Sequence, residues 1–153
     1  MLQLIDGPRR LVVGVISAAL LSAAALVALG PAPASAAIRK CPDNEFCLYF
    51  NADANGGFYH FVGSDRDLHN DHYEAGDTAE TVANTARNVW NNGRPGPKDD
   101  VIVYGLPGWN PKGGDACIRL DTGGPLPRSW WNSIESYRWA TNAECEAAGV
   151  ISF

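Results

Sequence analysis

Residues 46–62 read FCLYF-NADANGG-FYHFV, two short aromatic runs separated by a polar, glycine-containing segment. The runs at 46–50 and 58–62 are rich in the aromatic and apolar residues that favour β-strands. The Asn, Asp and Gly residues at 51–57 tolerate the positive φ angles of tight turns. The stretch therefore predicts a β-hairpin, and it suggests how the rest of the chain is organised.

The same alternation of short apolar runs and glycine turns continues along the chain. We predict further strands at 89–90, 101–104, 116–120 and 133–139, a polar loop at 63–77, helical turns at 78–88 and at 141–149, and a turn at 121–127. Residues 91–100 are rich in Asn, Gly and Pro and predict a hinge between two halves.

The two halves share an outline. Tyr49 precedes a Gly-Gly pair at 56–57 in the first half, and Tyr104 precedes a Gly-Gly pair at 113–114 in the second. Many short strands at this spacing are typical of a sandwich or barrel. The sequence therefore predicts an all-β fold, a sandwich of two four-stranded Greek keys.

The N-terminus has the composition of a secretory signal peptide. Arg9 and Arg10 supply a positive start, residues 11–29 are largely apolar, and residues 34–36 read Ala-Ser-Ala, a pattern that signal peptidase accepts. The alternative is an uncleaved anchor, because the apolar run is nearly long enough to span a bilayer.

We predict a signal peptide at residues 1–36, with cleavage after Ala36 and Ala37 as the near alternative, and one domain at residues 37–153. Loss of two arginines and one aspartate with the signal would change the net charge from −5 to −6. An acidic surface argues against nucleic acid or an anionic membrane as partner. We expect a secreted, extracellular monomer with no membrane association after cleavage.

All four cysteines, Cys41, Cys47, Cys117 and Cys145, lie in the predicted mature domain. An even number of cysteines in an exported chain predicts disulfides, and four cysteines allow three pairings. Proximity in sequence favours Cys41–Cys47 and Cys117–Cys145. The alternative of a cysteine-ligated metal is weakened by the absence of any Cys-x-x-Cys pair from the sequence.

Three segments together resemble a known family, the secreted actinobacterial peptidase inhibitors typified by the Streptomyces metalloproteinase inhibitor. The segments are Cys47-Leu48-Tyr49 followed by Gly56-Gly57, VWNNG at 89–93, and WNSIESYR at 131–138. The resemblance implies a βγ-crystallin-like double Greek key. It also implies inhibition of an extracellular peptidase, which we expect to be a metallopeptidase, by a rigid substrate-like loop.

For the inhibitory contact, the sequence offers the strand that leaves the Pro/Gly-rich loop at 105–114. The bond Cys117–Ile118 lies beside a predicted disulfide, and Trp109 lies within the loop itself. A loop held rigid in this way binds a protease without a large ordering cost. The alternative is that Ile118 is simply a core residue of the strand.

The resemblance also directs attention to calcium, because crystallin-like domains often bind Ca²⁺ near the last strand of each motif. The matching segments are residues 83–88 and 131–136. Each retains one amide but lacks the flanking carboxylate or hydroxyl, and Arg87 would repel a cation. Because Ca²⁺ takes six to eight oxygen ligands, we predict that these sites are degenerate.

Other candidate chemistries are weaker. His69, Asp71, His72 and Glu74 could form a metal site, but an acidic solvated loop is the better interpretation. No serine lies in a Gly-x-Ser-x-Gly setting and no Gly-rich phosphate loop is present in the sequence, so we predict neither an enzyme nor a cofactor. A carbohydrate-binding module is the alternative suggested by the five tryptophans, Trp90, Trp109, Trp130, Trp131 and Trp139.

Overall fold

The hairpin predicted at residues 46–62 is formed by β1 (Glu45–Tyr49) and β2 (Phe58–Phe61). The two strands pair antiparallel, with Cys47 opposite His60. The computed structural model describes residues 41–74 and 79–153, so the predicted signal peptide at 1–36 lies outside the described residues. Within the described part of the chain, no helix is long and apolar enough to cross a membrane.

The first sheet has the strand order β2-β1-β3-β6. Strand β3 (Asn88–Asn92) pairs antiparallel with β1, and its other edge pairs with β6 (Thr122–Pro125), a strand from the second half of the chain. Residues 121–127 were expected to form a turn, so β6 corrects that prediction. Gly123 allows this pairing, because a Cβ there would come within 2.3 Å of the carbonyl oxygen of Val89.

The second sheet has the order β5-β4-β7. Strand β4 (Asp100–Tyr104) lies between β5 (Asp115–Ile118) and β7 (Ser136–Ala140) and is antiparallel to both. This arrangement repeats β2-β1-β3 of the first sheet. The strand exchange is reciprocal but unequal: the first half contributes one residue, Asp65, which forms an isolated antiparallel bridge with Tyr137 of β7.

The second half thus gives a strand to the first sheet, and the first half gives one bridging residue to the second sheet. The two packed antiparallel sheets agree with the predicted double Greek-key sandwich. A reciprocal pair of backbone hydrogen bonds joins the halves. Asn84 donates its N–H to the carbonyl of Ile134, and Asn132 donates to the carbonyl of Ala86. Because Asn84 and Asn132 occupy equivalent places in the two halves, these bonds relate the halves by an approximate twofold.

The main core lies between the sheets. Alternation along β1 directs Phe46 and Leu48 inward, where they meet residues of β4, β5 and β7 such as Val101, Ile118 and Tyr137. All five side chains are essentially inaccessible to solvent.

Each sheet also carries a small apolar cluster on its outer face, and each cluster contains a disulfide. The pairs are Cys41–Cys47 on the first sheet and Cys117–Cys145 on the second, which confirms the predicted connectivity. The second disulfide attaches α1 (Asn142–Ala148) to β5. The predicted helical turn at 141–149 is confirmed, whereas residues 79–88 contain turns and the start of β3 but no helix.

Candidate functional site

The β4–β5 hairpin loop, residues 105–114, projects from the second sheet. Pro107, Gly108 and the segment 111–114 are exposed. The two ends of the loop approach closely: Gly105 donates its N–H to the carbonyl of Gly114 at 3.1 Å. A Cβ on Gly105 would come within 2.4 Å of the carbonyl oxygen of Gly113, so the narrow base of the loop requires glycine.

A buried hydroxyl binds the first part of the loop, between Leu106 and Trp109. Ser136, fully buried at the start of β7, donates its hydroxyl to the carbonyl of Leu106 at 2.7 Å and accepts the backbone N–H of Trp109 at 3.1 Å. Asn88 has the equivalent role in the first half, where its side-chain amide donates to the carbonyl of Ala52 at 2.8 Å.

The indole of Trp109 attaches the loop to the first half of the chain. Its Nε1–H donates to the carbonyls of Asp65 at 2.8 Å and Tyr137 at 2.9 Å, the two residues of the exchanged bridge. The guanidinium of Arg66 lies 4.1 Å from the centre of the indole ring, and Gly108 donates its N–H to the carbonyl of Arg66 at 2.7 Å. The loop is thus attached to the first half of the chain as well as the second.

The sequence places Trp109 among the candidate contact residues of the loop. Its position is instead that of an internal anchor, since its indole N–H is used within the protein and its ring packs against the outer cluster of the second sheet. The residues that project from the loop are its neighbours, among which Lys112 is exposed at the tip.

Cys117 and Ile118 lie in the interior. Both are 0% exposed, and they pair with Ile102 and Val101 of β4. The other edge of β5 is covered by the C-terminal segment: Cys117 accepts the N–H of Ile151 and donates to Gly149, each at 2.8 Å. The candidate inhibitory bond on the strand that leaves the loop is therefore not accessible as the structure stands, because a bond that is buried and hydrogen-bonded on both sides cannot enter a protease cleft; the alternative that Ile118 is a core residue agrees with its burial.

The two segments matched to crystallin calcium sites form polar pairs across the twofold. Arg87 donates through Nε to Oδ1 of Asn132 at 3.2 Å, and Asn84 donates through Nδ2 to Oε1 of Glu135 at 2.7 Å. At the first pair, the amide oxygen that a cation would need as a ligand already accepts a hydrogen bond from a positively charged arginine side chain. This geometry agrees with the prediction of degenerate sites.

The His69–Glu74 segment does not assemble a metal site. Nδ1 of His69 lies 2.7 Å from Oδ1 of Asp67, whereas His72 forms a backbone bridge with Thr81. Within the described residues, the one group of three closely spaced potential ligands is Asp100, Cys117 and Cys145. The two sulfurs of that group are bonded to each other, so they are not available as thiolates.

A His–carboxylate cluster was missed by the sequence analysis. His60 lies between two carboxylates: Nδ1 contacts Glu45, and Nε2 lies 3.0 Å from Glu74. Burial lowers the pKa of His60, but hydrogen bonds and charge from Glu45 and Glu74 outweigh burial, so the pKa lies above its ordinary value. The register of the first hairpin, which makes Glu45 and His60 diagonal neighbours, was the signal that could have revealed half of this cluster.

Three of the four remaining tryptophans contact other parts of the protein as follows. Trp90 packs over Gly123, Trp130 packs against the main core, and Trp131 donates Nε1–H to the carbonyl of Leu126 at 2.8 Å. The guanidinium of Arg128 lies 4.6 Å from the centre of the Trp131 ring. These contacts give no support to a row of free aromatic rings for stacking on sugars.

Comparisons with known proteins agree with this fold. The model of a family described as peptidase inhibitor family I36 matches residues 34–118. A structure solved in a study of how the eye-lens βγ-crystallin domain fold evolved aligns with a TM-score of 0.50 at 17% identity, covering 66% of this chain and 90% of its own. A βγ-crystallin from Ciona intestinalis aligns with a TM-score of 0.44 at 14% identity, covering 63% of this chain and 99% of its own. No curated protein matches the chain.

Proposed function

This chain belongs to peptidase inhibitor family I36, and we propose that it is a secreted inhibitor of an extracellular metallopeptidase that acts through the rigid loop at residues 105–114. Membership in this family makes the chain a peptidase inhibitor rather than an enzyme and gives it a protease as partner. The peptidase class, the contact loop and the route of export are the proposed parts.

The proposal that this loop is the protease contact rests on its hydrogen bonds to both halves of the chain. Ser136 holds Leu106 and the backbone of Trp109, while the indole of Trp109 and the N–H of Gly108 bind the first half of the chain. An inhibitor loop that is already ordered loses little conformational entropy on binding, so more of its contact energy appears as affinity. The exposed segment 111–114 is then free to meet the protease.

A metallopeptidase target is supported by the resemblance to the family typified by the Streptomyces metalloproteinase inhibitor. Secretion is supported by the predicted signal peptide at residues 1–36 together with two disulfides, which form and persist in oxidising compartments. The proposed active form is the monomeric domain at residues 37–153.

The direct test is titration of two peptidase classes with purified residues 37–153. We expect stoichiometric inhibition of a thermolysin-like zinc peptidase and weak or no inhibition of a subtilisin-like serine peptidase. Inhibition of the serine enzyme alone would refute the metallopeptidase assignment. Inhibition of neither enzyme at micromolar inhibitor would refute the proposal as a whole.

The loop assignment is tested by a pair of insertions. Two glycines placed between Lys112 and Gly113 loosen the proposed contact loop, and two glycines placed between Asn55 and Gly56 loosen the equivalent hairpin of the first half. Lengthening a loop costs little folding stability. We expect the first insertion to weaken inhibition by about tenfold, because the loop must be ordered on binding, and the second to leave inhibition unchanged. Equal effects, or a larger effect of the second insertion, would exclude the loop at 105–114 as the contact.

A further inference from the structure

A shallow cleft of about 200 Å³ lies where the two halves meet the segment that connects them. Val62 comes from the first half, Trp139 from β7, and Arg94 and Lys98 from the connecting segment, with Asn44 at the rim. The inhibitory loop does not line this cleft, so the site raises a separate question of function.

Two of the residues that line the cleft, Val62 and Trp139, are apolar and lie in contact with each other. Val62 is 73% exposed, the highest exposure of any large hydrophobic residue in the described part of the chain. Trp139 donates its Nε1–H to the carbonyl of Val62 at 2.9 Å and its backbone N–H to Oγ of Ser64 at 3.0 Å. The ring also lies against Gly93, where a Cβ would come within 2.7 Å of the indole. An exposed aliphatic side chain beside a fixed aromatic ring is a surface that an apolar side chain can cover.

Two further lining residues, Arg94 and Lys98, carry positive charges. Arg94 and Lys98 are exposed, and neither forms an ion pair with any residue in the described ranges. The nearest carboxylates in sequence have other partners: Asp99 accepts the backbone N–H of Gly96 at 3.0 Å, and Asp100 accepts a hydrogen bond from the guanidinium of Arg119 at 2.9 Å. On a chain with a net charge of −5, these two cations remain available to an anionic ligand.

We propose that this cleft is a binding site for an extended acidic peptide segment of a partner protein. A carboxylate side chain of the segment pairs with Arg94 and Lys98, and a neighbouring apolar side chain covers Val62 and the ring of Trp139. Arginine can bind a carboxylate through two parallel hydrogen bonds, which gives the site directional selectivity. The connecting segment thereby has a recognition role in addition to joining the two Greek keys.

A peptide fits the lining better than an acidic sugar does. Sugar recognition requires several hydrogen-bonding groups for hydroxyls around the aromatic platform. The neutral polar side chain among the residues lining this cleft is Asn44, and the indole N–H of Trp139 already binds Val62. Aliphatic contact at Val62 favours a leucine- or valine-like side chain next to the carboxylate.

The test uses residues 37–153 and three probes. They are a blocked tetrapeptide that alternates leucine and glutamate, the same peptide with glutamine in place of glutamate, and a trimer of galacturonate. Binding is followed by NMR through the Nε1–H resonance of Trp139 and the methyl resonances of Val62. We expect saturable shifts with the glutamate peptide, which weaken as the salt concentration rises because the charges are exposed.

The matched variants are Arg94→Gln with Lys98→Gln, and Lys112→Gln on the inhibitory loop as control. All three side chains are exposed, so folding is checked by an unchanged melting temperature. We expect the double variant to bind the glutamate peptide about tenfold more weakly and the control to bind normally.

Equal binding of the glutamate and glutamine peptides, or equal binding by the double variant and wild type, would overturn the proposal. Binding of galacturonate without the peptide would overturn the peptide assignment, as would no shift with any probe. Peptidase inhibition plays no part in this readout, so the proposal stands or falls independently of the proposed function.

Discussion

Replacement of Trp109 by phenylalanine removes the indole hydrogen bond that attaches the proposed contact loop at 105–114 to the exchanged bridge, while retaining an aromatic ring. The indole N–H donates to the carbonyls of Asp65 and Tyr137, at 2.8 and 2.9 Å. Both carbonyls also accept a backbone N–H across the bridge, at 3.0 Å each. Neither carbonyl is therefore left without a partner when the indole is lost.

The size of the effect follows from this arrangement. The indole has one N–H, which is shared between the two carbonyls in a bifurcated hydrogen bond, so its loss costs about 0.5–1.5 kcal/mol. For a domain of this length, the unfolding entropy converts that loss to a melting temperature lower by about 2–6 °C. A loop that is less ordered also binds less tightly, and we expect the inhibition constant to rise about three- to tenfold.

The assay is paired thermal unfolding and peptidase inhibition on Trp109→Phe, with Trp131→Phe as the matched control. Trp131 also donates its indole N–H to a backbone carbonyl, that of Leu126 at 2.8 Å, but it lies outside the loop. The control should lower the melting temperature by a few degrees. It should leave inhibition unchanged.

Two results would refute the reasoning. A lower melting temperature with unchanged inhibition for Trp109→Phe would mean that the loop is not the contact surface. Equal weakening of inhibition by both variants would mean that inhibition follows global stability rather than the order of this loop.

Three further predictions test the rest of the structure. The pKa of His60 is raised in the folded state, so its carboxylate contacts stabilise the fold fully below the unfolded pKa of about 6.5 and lose this effect as the pH rises through the folded pKa. In denaturant unfolding, we expect the wild type to be more stable than His60→Gln at pH 5.5 and equally stable in alkali. A stability difference that stays constant with pH would contradict this prediction. The pKa of Glu144 is lowered to about 2, first by hydrogen bonds from the backbone and hydroxyl of Thr141 and then by Arg138, so its stabilising contribution is present above the unfolded pKa of about 4.3 and lost as the pH falls from there to 2. In urea unfolding, we expect Glu144→Gln to reduce this loss of stability in acid by about 1 kcal/mol after solvent screening. An unchanged loss of stability would exclude the cap as its cause. Millimolar Ca²⁺ should leave the melting temperature unchanged, because Arg87 occupies the amide oxygen at one crystallin-like position; a rise would show that the native state binds the ion.

Much of the fold could be predicted from local patterns in the sequence. The first hairpin was predictable because aromatic runs flank an Asn/Asp/Gly turn, and α1 could be placed near residues 141–149 from composition. Its start is fixed by a capping box, in which Thr141 and Glu144 bind each other's backbone N–H groups. The disulfide pairs followed from sequence proximity, since a short loop brings Cys41 close to Cys47 in any compact fold.

The candidate site depended far more on contacts between distant segments. The sequence indicated the loop at 105–114 through its Pro and Gly content, yet it gave no sign that Ser136 and the bridge at Asp65 would hold that loop. The contact of His60 with Glu74 could likewise not be predicted, because Glu74 lies in a loop whose sequence has no periodic pattern.

Local sequence patterns predicted two Greek keys, a strand-rich class and the favoured disulfide pairs, because turn residues, alternation and cysteine spacing are properties of neighbouring residues. Long-range packing settles which strand completes which sheet and therefore which residues are exposed. Thr122–Pro125 is short and glycine-rich and becomes a strand only because β3 offers it a free edge. Cys117–Ile118 looks like an accessible bond until the C-terminal segment and β4 cover both of its sides. Burial is a property of the whole packed chain, so the residues that are exposed enough to meet a protease could be identified only once the sheets had been assembled.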